Sequence, residues 1–177
     1  MKHEDRLGMR ASVQDGYAVI DWVRYHAAVK PNATATRELP SARVQTYGAM
    51  HRRVGQIAAD MRQRGVETGS RVAFLMPNSS DIMDITFATW RLGGVVLALN
   101  FRLTAQELSF ILNDAGASVV VYDASLADLV AAIDAPTVRH WMASNGNGSP
   151  SPFEDAIAAQ GDPILEREPQ VLQDQCM

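Results

Sequence analysis

The sequence predicts an α/β protein: a partial doubly wound parallel sheet flanked by helices. Three observations lead there. Short strand-like runs recur at 71–76, 95–99, 118–122 and 138–142, and helically spaced segments separate them. The joints are short and rich in Gly, Pro, Asn or Ser. Val95 to Leu99 is continuously apolar and Ser118 to Tyr122 nearly so, as expected of strands covered on both faces.

The elements follow in order. Residues 17–29 carry Val19, Ile20, Trp22, Val23, Tyr25 and His26, and the spacing predicts a helix. Residues 31–42 read as loop or a weak hairpin. Thr46 is an N-cap candidate, and Tyr47, Met50, Val54, Ile57 and Met61 follow at helical spacing. Arg52, Arg53, Arg62 and Arg64 lie off that stripe and are expected on a solvated face. Gly65 then Val66 fit a Schellman ending. After the strand from Arg71, Pro77-Asn78 breaks the chain. Asn78 and Asp81 are expected to open a helix over about 79–92. Its apolar residues Ile82, Met83, Ile85, Phe87, Trp90 and Leu92 point nearly all round, which predicts burial.

Gly93-Gly94 ends that helix before the run Val95 to Leu99. Thr104 and Glu107 form a capping box for a helix with Leu108, Ile111, Leu112 and Ala115 inward, closed by Gly116. Ser125 and Asp128 are expected to start another helix, carrying Leu126, Leu129, Val130 and Ile133. A strand over 138–142, a loop over 144–152 and a short helix over 153–159 complete the pattern. Residues 161–177 read as loop, and no solenoid-type repeat is present.

Composition narrows the function classes. A chain of 177 residues with 47% hydrophobic and 20% charged residues suits one domain, or a large piece of one. A net charge of −4 argues against nucleic-acid binding. One cysteine, Cys176, cannot form an internal disulfide, so a reducing, cytoplasmic setting is expected. The N-terminus lacks the apolar stretch of a secretory signal. No apolar run approaches the ~20 residues that span a bilayer. His3, His26, His51 and His140 lack metal-ligand spacing, so no metal residue is assigned. No Gly-x-Ser-x-Gly turn signals a hydrolase nucleophile. No catalytic residue is assigned either.

Several segments in fixed order resemble the N-terminal part of acyl-CoA synthetases of the adenylate-forming superfamily. They are Thr46-Tyr47-Gly48-Ala49-Met50, the run from Gly69 to Asn78, Trp90 to Val96, and Leu99-Asn100-Phe101-Arg102-Leu103-Thr104. His140-Trp141 and Phe153 to Ala156 are fainter echoes. The resemblance spans most of residues 17–160. It divides the chain into a tail at 1–16, an α/β part of an AMP-binding domain at 17–160, and a loop at 161–177 leading toward a phosphate-binding loop.

The resemblance implies a two-step ligase. A small carboxylic acid attacks ATP, with Mg2+, to form an acyl-adenylate, and CoA then displaces AMP. That chemistry needs a Ser/Thr/Gly-rich loop ending in Lys around the phosphates. It also needs an acid on the ribose and a Lys brought by a mobile domain. The chain's lysines are Lys2 and Lys30, and its Gly-rich run at 145–149 has none. The expectation is therefore a piece of such a ligase, inactive by itself. The alternatives are a non-enzymatic CoA-binding or ligase-partner module and an unrelated nucleotide-binding domain. The resemblance places the segment of Asn100, Phe101 and Arg102 near the CoA nucleotide, Arg102 toward a phosphate and Phe101 toward adenine. Against this stands a local reading, with Asn78 and Asp123 as turn and cap residues and Arg102 a surface charge. Apolar surface left bare by this length of chain is expected to drive self-association.

Overall fold

A computed structural model describes residues 20–39, 41–146 and 148–168. Helix α1 (Trp22–Val29) leads into a two-stranded antiparallel hairpin, β1 (Thr34–Arg37) and β2 (Val44–Thr46). Then follow α2 (Tyr47–Gln63), β3 (Arg71–Leu75), α3 (Ser80–Arg91), β4 (Val95–Leu99), α4 (Ala105–Ala115) and β5 (Ala117–Asp123). A 3-10 turn (Ala124–Leu126), α5 (Ala127–Ala131), β6 (His140–Ser144) and α6 (Pro152–Ala158) close the described fold. The four later strands form one parallel sheet in the order β4-β3-β5-β6.

Strand alternation divides the core into two layers. Val72, Phe74, Val119, Val121 and Met142 face α2, α3 and α6, with Val23 of α1 in the same cluster. Ala73, Leu75, Leu99, Val120 and Ala117 face α4 and α5 through Leu108, Leu112, Leu129 and Val130. The result is a helix–sheet–helix sandwich, the predicted class.

Local chemistry sets several boundaries as the sequence predicts. The Thr46 side chain accepts from the Ala49 N–H. At the other end of α2, Val66 N–H donates to Met61 O at 3.0 Å and Gly65 N–H to Arg62 O at 2.9 Å, the paired bonds of a Schellman ending. The α4 capping box is complete, and Gly116 takes a left-handed φ of 65°. Gly94 is required for another reason: a Cβ there would stand 2.9 Å from Thr89 Cγ2 and 3.1 Å from Ser70 O.

Other expectations are corrected. α1 begins at Trp22, with Asp21 as its cap, and Tyr17 to Val19 lie outside the described residues. The cap of α3 is Ser79, whose hydroxyl accepts from Asp81 N–H, while Asn78 is exposed. Asp123, not Ser125, starts the next helical segment, because its carboxylate accepts from Ser125 N–H at 2.9 Å. β6 pairs from His140, since Val138 N–H is committed to a turn bond to Ala135 O. β4 is not covered on both faces. It is the sheet edge, with Val95, Val96 and Leu97 half-buried and Ala98 exposed.

Candidate functional site

The chain runs from β3 outward to β4, then returns past β3 to β5 and β6. α3 lies on one face of the sheet and α5 on the other, so the connections after β3 and β5 diverge. That divergence makes the carboxyl ends of these two strands a topological switch point, where open α/β sheets collect ligands. Pro77 and Asn78 stand exposed at the end of β3, and Asp123 half-buried at the end of β5. Asp123 is occupied locally, as its carboxylate also accepts from the Ser125 hydroxyl.

Asn100, Phe101 and Arg102 follow β4 on the same carboxyl edge. Asn100 Oδ1 accepts from Arg102 N–H at 3.0 Å, which closes the turn into α4. The Arg102 guanidinium lies 5.2 Å from the Phe101 ring centroid. Arg102 is exposed and Phe101 half-buried. The three residues are brought together through short-range contacts.

A charged cluster lies behind this edge, and the sequence reading did not single it out. Arg53 of α2 donates from Nε to Asp84 Oδ2 at 2.8 Å and from Nη2 to Asp81 Oδ1 at 3.1 Å. The same guanidinium forks onto Glu154 of α6, at 2.7 Å from Nη1 and 2.5 Å from Nη2. Arg43, just before β2, adds a 2.8 Å bond from Nη1 to Asp81 Oδ1 and lies 3.7 Å from Asp84. The Ser144 hydroxyl, at the end of β6, donates to Asp81 Oδ2 at 2.9 Å. Neither the Asp81 nor the Asp84 side chain is exposed.

This overturns two expectations. Arg53 does not lie on a solvated face: its side chain is 12% exposed. Of the others, Arg52 and Arg62 are exposed, and Arg64 pairs with Asp60 on its own helix at 2.7 Å. The burial of α3 also differs from prediction. Asp81, Asp84 and Arg91 are buried, while Met83 is exposed and Ile82, Phe87 and Trp90 are half-buried.

The cluster affects its members unequally. At Arg53, burial disfavours the charge. The Glu154 hydrogen bond and the charges of Asp84, Glu154 and Asp81 outweigh it, so its pKa lies above the usual arginine value. At Asp84, burial wins over Arg53 and Arg43, and the carboxyl is pushed up to about 6. Asp84 Oδ1 is buried without a hydrogen-bond partner.

A second hub lies at the other end of α3. The Arg91 side chain is wholly buried and donates to Asp21 Oδ2 at 2.9 Å, and to the carbonyls of His51 and Ile164 at 3.2 and 3.1 Å. Burial, then the Arg91 charge, lowers the His51 pKa. A guanidinium can only donate, so His51 Nδ1 accepts from Arg91 Nη2 at 3.2 Å. A cavity of about 250 Å³ opens nearby, at the amino edge of the sheet, lined by Arg62, Val66, Thr68, Leu92 and Glu168 among others. It lies opposite the ligand-collecting edge. Among the described residues, no group of three His, Cys, Asp or Glu could hold a metal ion, and no helix is long and apolar enough to cross a membrane.

Comparison with known proteins places this architecture. The profile of the AMP-binding enzyme family matches residues 23–173. The feruloyl-CoA synthase of an Amycolatopsis species is 40% identical over 114 residues, covering 64% of this chain and 23% of that protein. The long-chain-fatty-acid–CoA ligase FadD13 of Mycobacterium tuberculosis is 36% identical over 157 residues, covering 82% of this chain and 31% of the relative. The solved N-terminal domain of FACL13 from Mycobacterium tuberculosis superposes with a TM-score of 0.73 at 31% identity, over 82% of this chain and 36% of that one. The chain thus spans less than a third of the length of these two full-length relatives and corresponds to part of an N-terminal domain. It belongs to the AMP-binding enzyme family.

Proposed function

We propose that these residues are the first α/β layers of an ATP-dependent acid–thiol ligase, which joins a small carboxylic acid to CoA through an acyl-adenylate. The family match over residues 23–173 carries the reading, and the names of the relatives, feruloyl-CoA synthase and long-chain-fatty-acid–CoA ligase, support it. The residue division follows the same reading: a tail at 1–16, the α/β part at 17–160, and a connecting loop at 161–177. A reducing cytoplasmic setting, consistent with one cysteine in the chain, belongs to it as well.

Family enzymes of this kind use ATP, Mg2+ and CoA, and the described residues do not fit ATP with Mg2+. No Ser/Thr/Gly-rich loop ending in Lys occurs in the sequence. Lys30 sits 5.4 Å from the Tyr47 ring rather than at a strand–helix turn. Adenylation is therefore not assigned to this chain's residues. What they supply is the sheet, whose carboxyl edge carries the Asn100–Arg102 turn.

That turn is the proposed CoA contact. Arg102 is exposed enough to meet a phosphate, and Phe101 offers a ring face beside it. Titrating the chain with CoA and with pantetheine, for the native sequence and for Arg102→Ala, tests this. Binding of CoA that exceeds pantetheine and weakens about tenfold in Arg102→Ala supports the contact. Equal binding of CoA by both proteins removes it. Mixing the chain with ATP, Mg2+, CoA and a hydroxycinnamate or fatty acid is expected to release no pyrophosphate, and release would assign the whole reaction to these residues.

A further inference from the structure

The buried cluster between α2, α3, α6 and β6 contains two guanidinium groups, Arg43 and Arg53, and three carboxyl groups, Asp81, Asp84 and Glu154. With every member ionised it holds one negative charge in excess. Five groups share one seam, so the excess is not spread over a wet surface. A single proton would balance the cluster.

The hydrogen-bond pattern shows where that proton fits. Asp81 uses both oxygens, Oδ1 for Arg43 and Arg53 and Oδ2 for Ser144. Glu154 uses both oxygens for Arg53 and is 18% exposed, within reach of water. Asp84 uses only Oδ2, and its Oδ1 is buried with no partner. An ionised carboxylate with one oxygen unsolvated and unbonded costs several times what a neutral carboxyl costs there. We propose that Asp84 is the proton-binding member of the cluster, and that the seam between α2 and α3 loosens when the proton leaves.

The groups facing Asp84 are known from each side. Arg53 faces it from α2, Arg43 from the hairpin and Asp81 from its own helix. Glu154 from α6 and Ser144 from β6 act through Arg53 and Asp81. Beneath α3, β4 has no titratable residue, and the one in β3 is Arg71, at the strand's far end. His51 sits at the Arg91 end of the α2–α3 interface, and burial and Arg91 lower its pKa, so its own pH effect runs opposite to that of Asp84. Within the cluster, burial places the response of Asp84 near pH 6.

The sign follows from linkage. A folded-state pKa above the unfolded one favours the folded chain below pH ~4, and that advantage is lost as pH rises through about 6. Urea unfolding of the dilute full chain at pH 5.0 and 7.5 tests this, together with the Asp84 Cγ resonance in a carboxyl-labelled sample. The wild-type midpoint is expected to fall between the two pH values. Asp84→Asn, which keeps the shape and drops the charge, should show a smaller fall and be the more stable protein at pH 7.5. Asp81→Asn should lose stability at both values, because both of its oxygens are bonded. An Asp84→Asn chain that fails to fold, or that keeps the wild-type pH response, overturns the proposal. So does a Cγ titration midpoint below about 4.5.

Discussion

Arg53 and Glu154 lie 101 residues apart in sequence and meet through two parallel hydrogen bonds. The fork clamps α6 against α2, with the Phe153 ring 5.7 Å from the same guanidinium. One side chain thus joins the helix before the sheet to the helix after it.

Removing that side chain strands Asp84 and Glu154, while Asp81 keeps Arg43 and Ser144. Arg53→Met retains most of the buried volume but leaves Asp84 without its 2.8 Å partner. Breaking a buried pair from one side costs about 3–5 kcal/mol. Urea unfolding at pH 7.5 should show a loss on that scale. A loss below about 1 kcal/mol would place Arg53 among ordinary surface ion pairs.

Gly55 tests a close approach. A Cβ on it would stand 2.8 Å from Ile164 O and 2.9 Å from Pro163 Cβ, and Ile164 N–H donates to Gly55 O. Gly55→Ala should push the 163–168 segment off α2, with overpacking that costs about 1–3 kcal/mol. Faster trypsin cleavage after Arg167 reports the release, and an unchanged cleavage rate would count against the contact.

The start of α4 gives a prediction with the opposite pH sense. The Thr104 backbone N–H, then its hydroxyl, bonds Glu107 and lowers its pKa. A lowered folded-state pKa stabilises above the ordinary carboxylate range and is lost as pH falls through the folded value. Glu107→Gln should therefore lower Tm at pH 7, and the gap to wild type should close below about pH 4. A gap that is constant with pH would assign the effect to shape rather than charge.

The open edge of the sheet predicts association. β4 reads Val-Val-Leu-Ala-Leu, with no charge and no proline to discourage pairing. Light scattering of the isolated chain should show concentration-dependent growth, and Ala98→Lys, at the exposed position of β4, should suppress it. Growth that Ala98→Lys leaves unchanged would move the contact to another surface.

These cases show what the sequence made legible. Signals closed within a few residues were readable. Thr46, Gly65 with Val66, and the Thr104–Glu107 box all act over one turn, and each sits where its chemistry places it. Signals that depend on the fold were not. Arg53 looked like solvent-facing charge because its partners lie 28, 31 and 101 residues away. α3 looked apolar all round, so nothing in its own pattern showed that Asp81 and Asp84 face inward while Met83 faces out. β4 looked doubly covered, yet strand order puts it at the edge, and order is not written in a strand's composition. In the candidate site, Asn100 to Arg102 were visible because their contacts are local. The cluster joining α2, α3, α6 and β6 was invisible for the opposite reason.

The reach of the arginine clamp has a consequence for how the chain is made. Synthesis adds roughly 5–20 residues per second, so Glu154 follows Arg53 by about 5–20 s. During that interval Arg53 can meet Asp81 and Asp84, but nothing yet offsets its second fork. Arg91, which awaits Ile164 73 residues later, is delayed in the same way. The sheet of β3, β4 and β5 can form while each guanidinium group still lacks its last partner. Among the described residues, α6 and the segment behind it are therefore the latest to arrive, closing over charges already held in place.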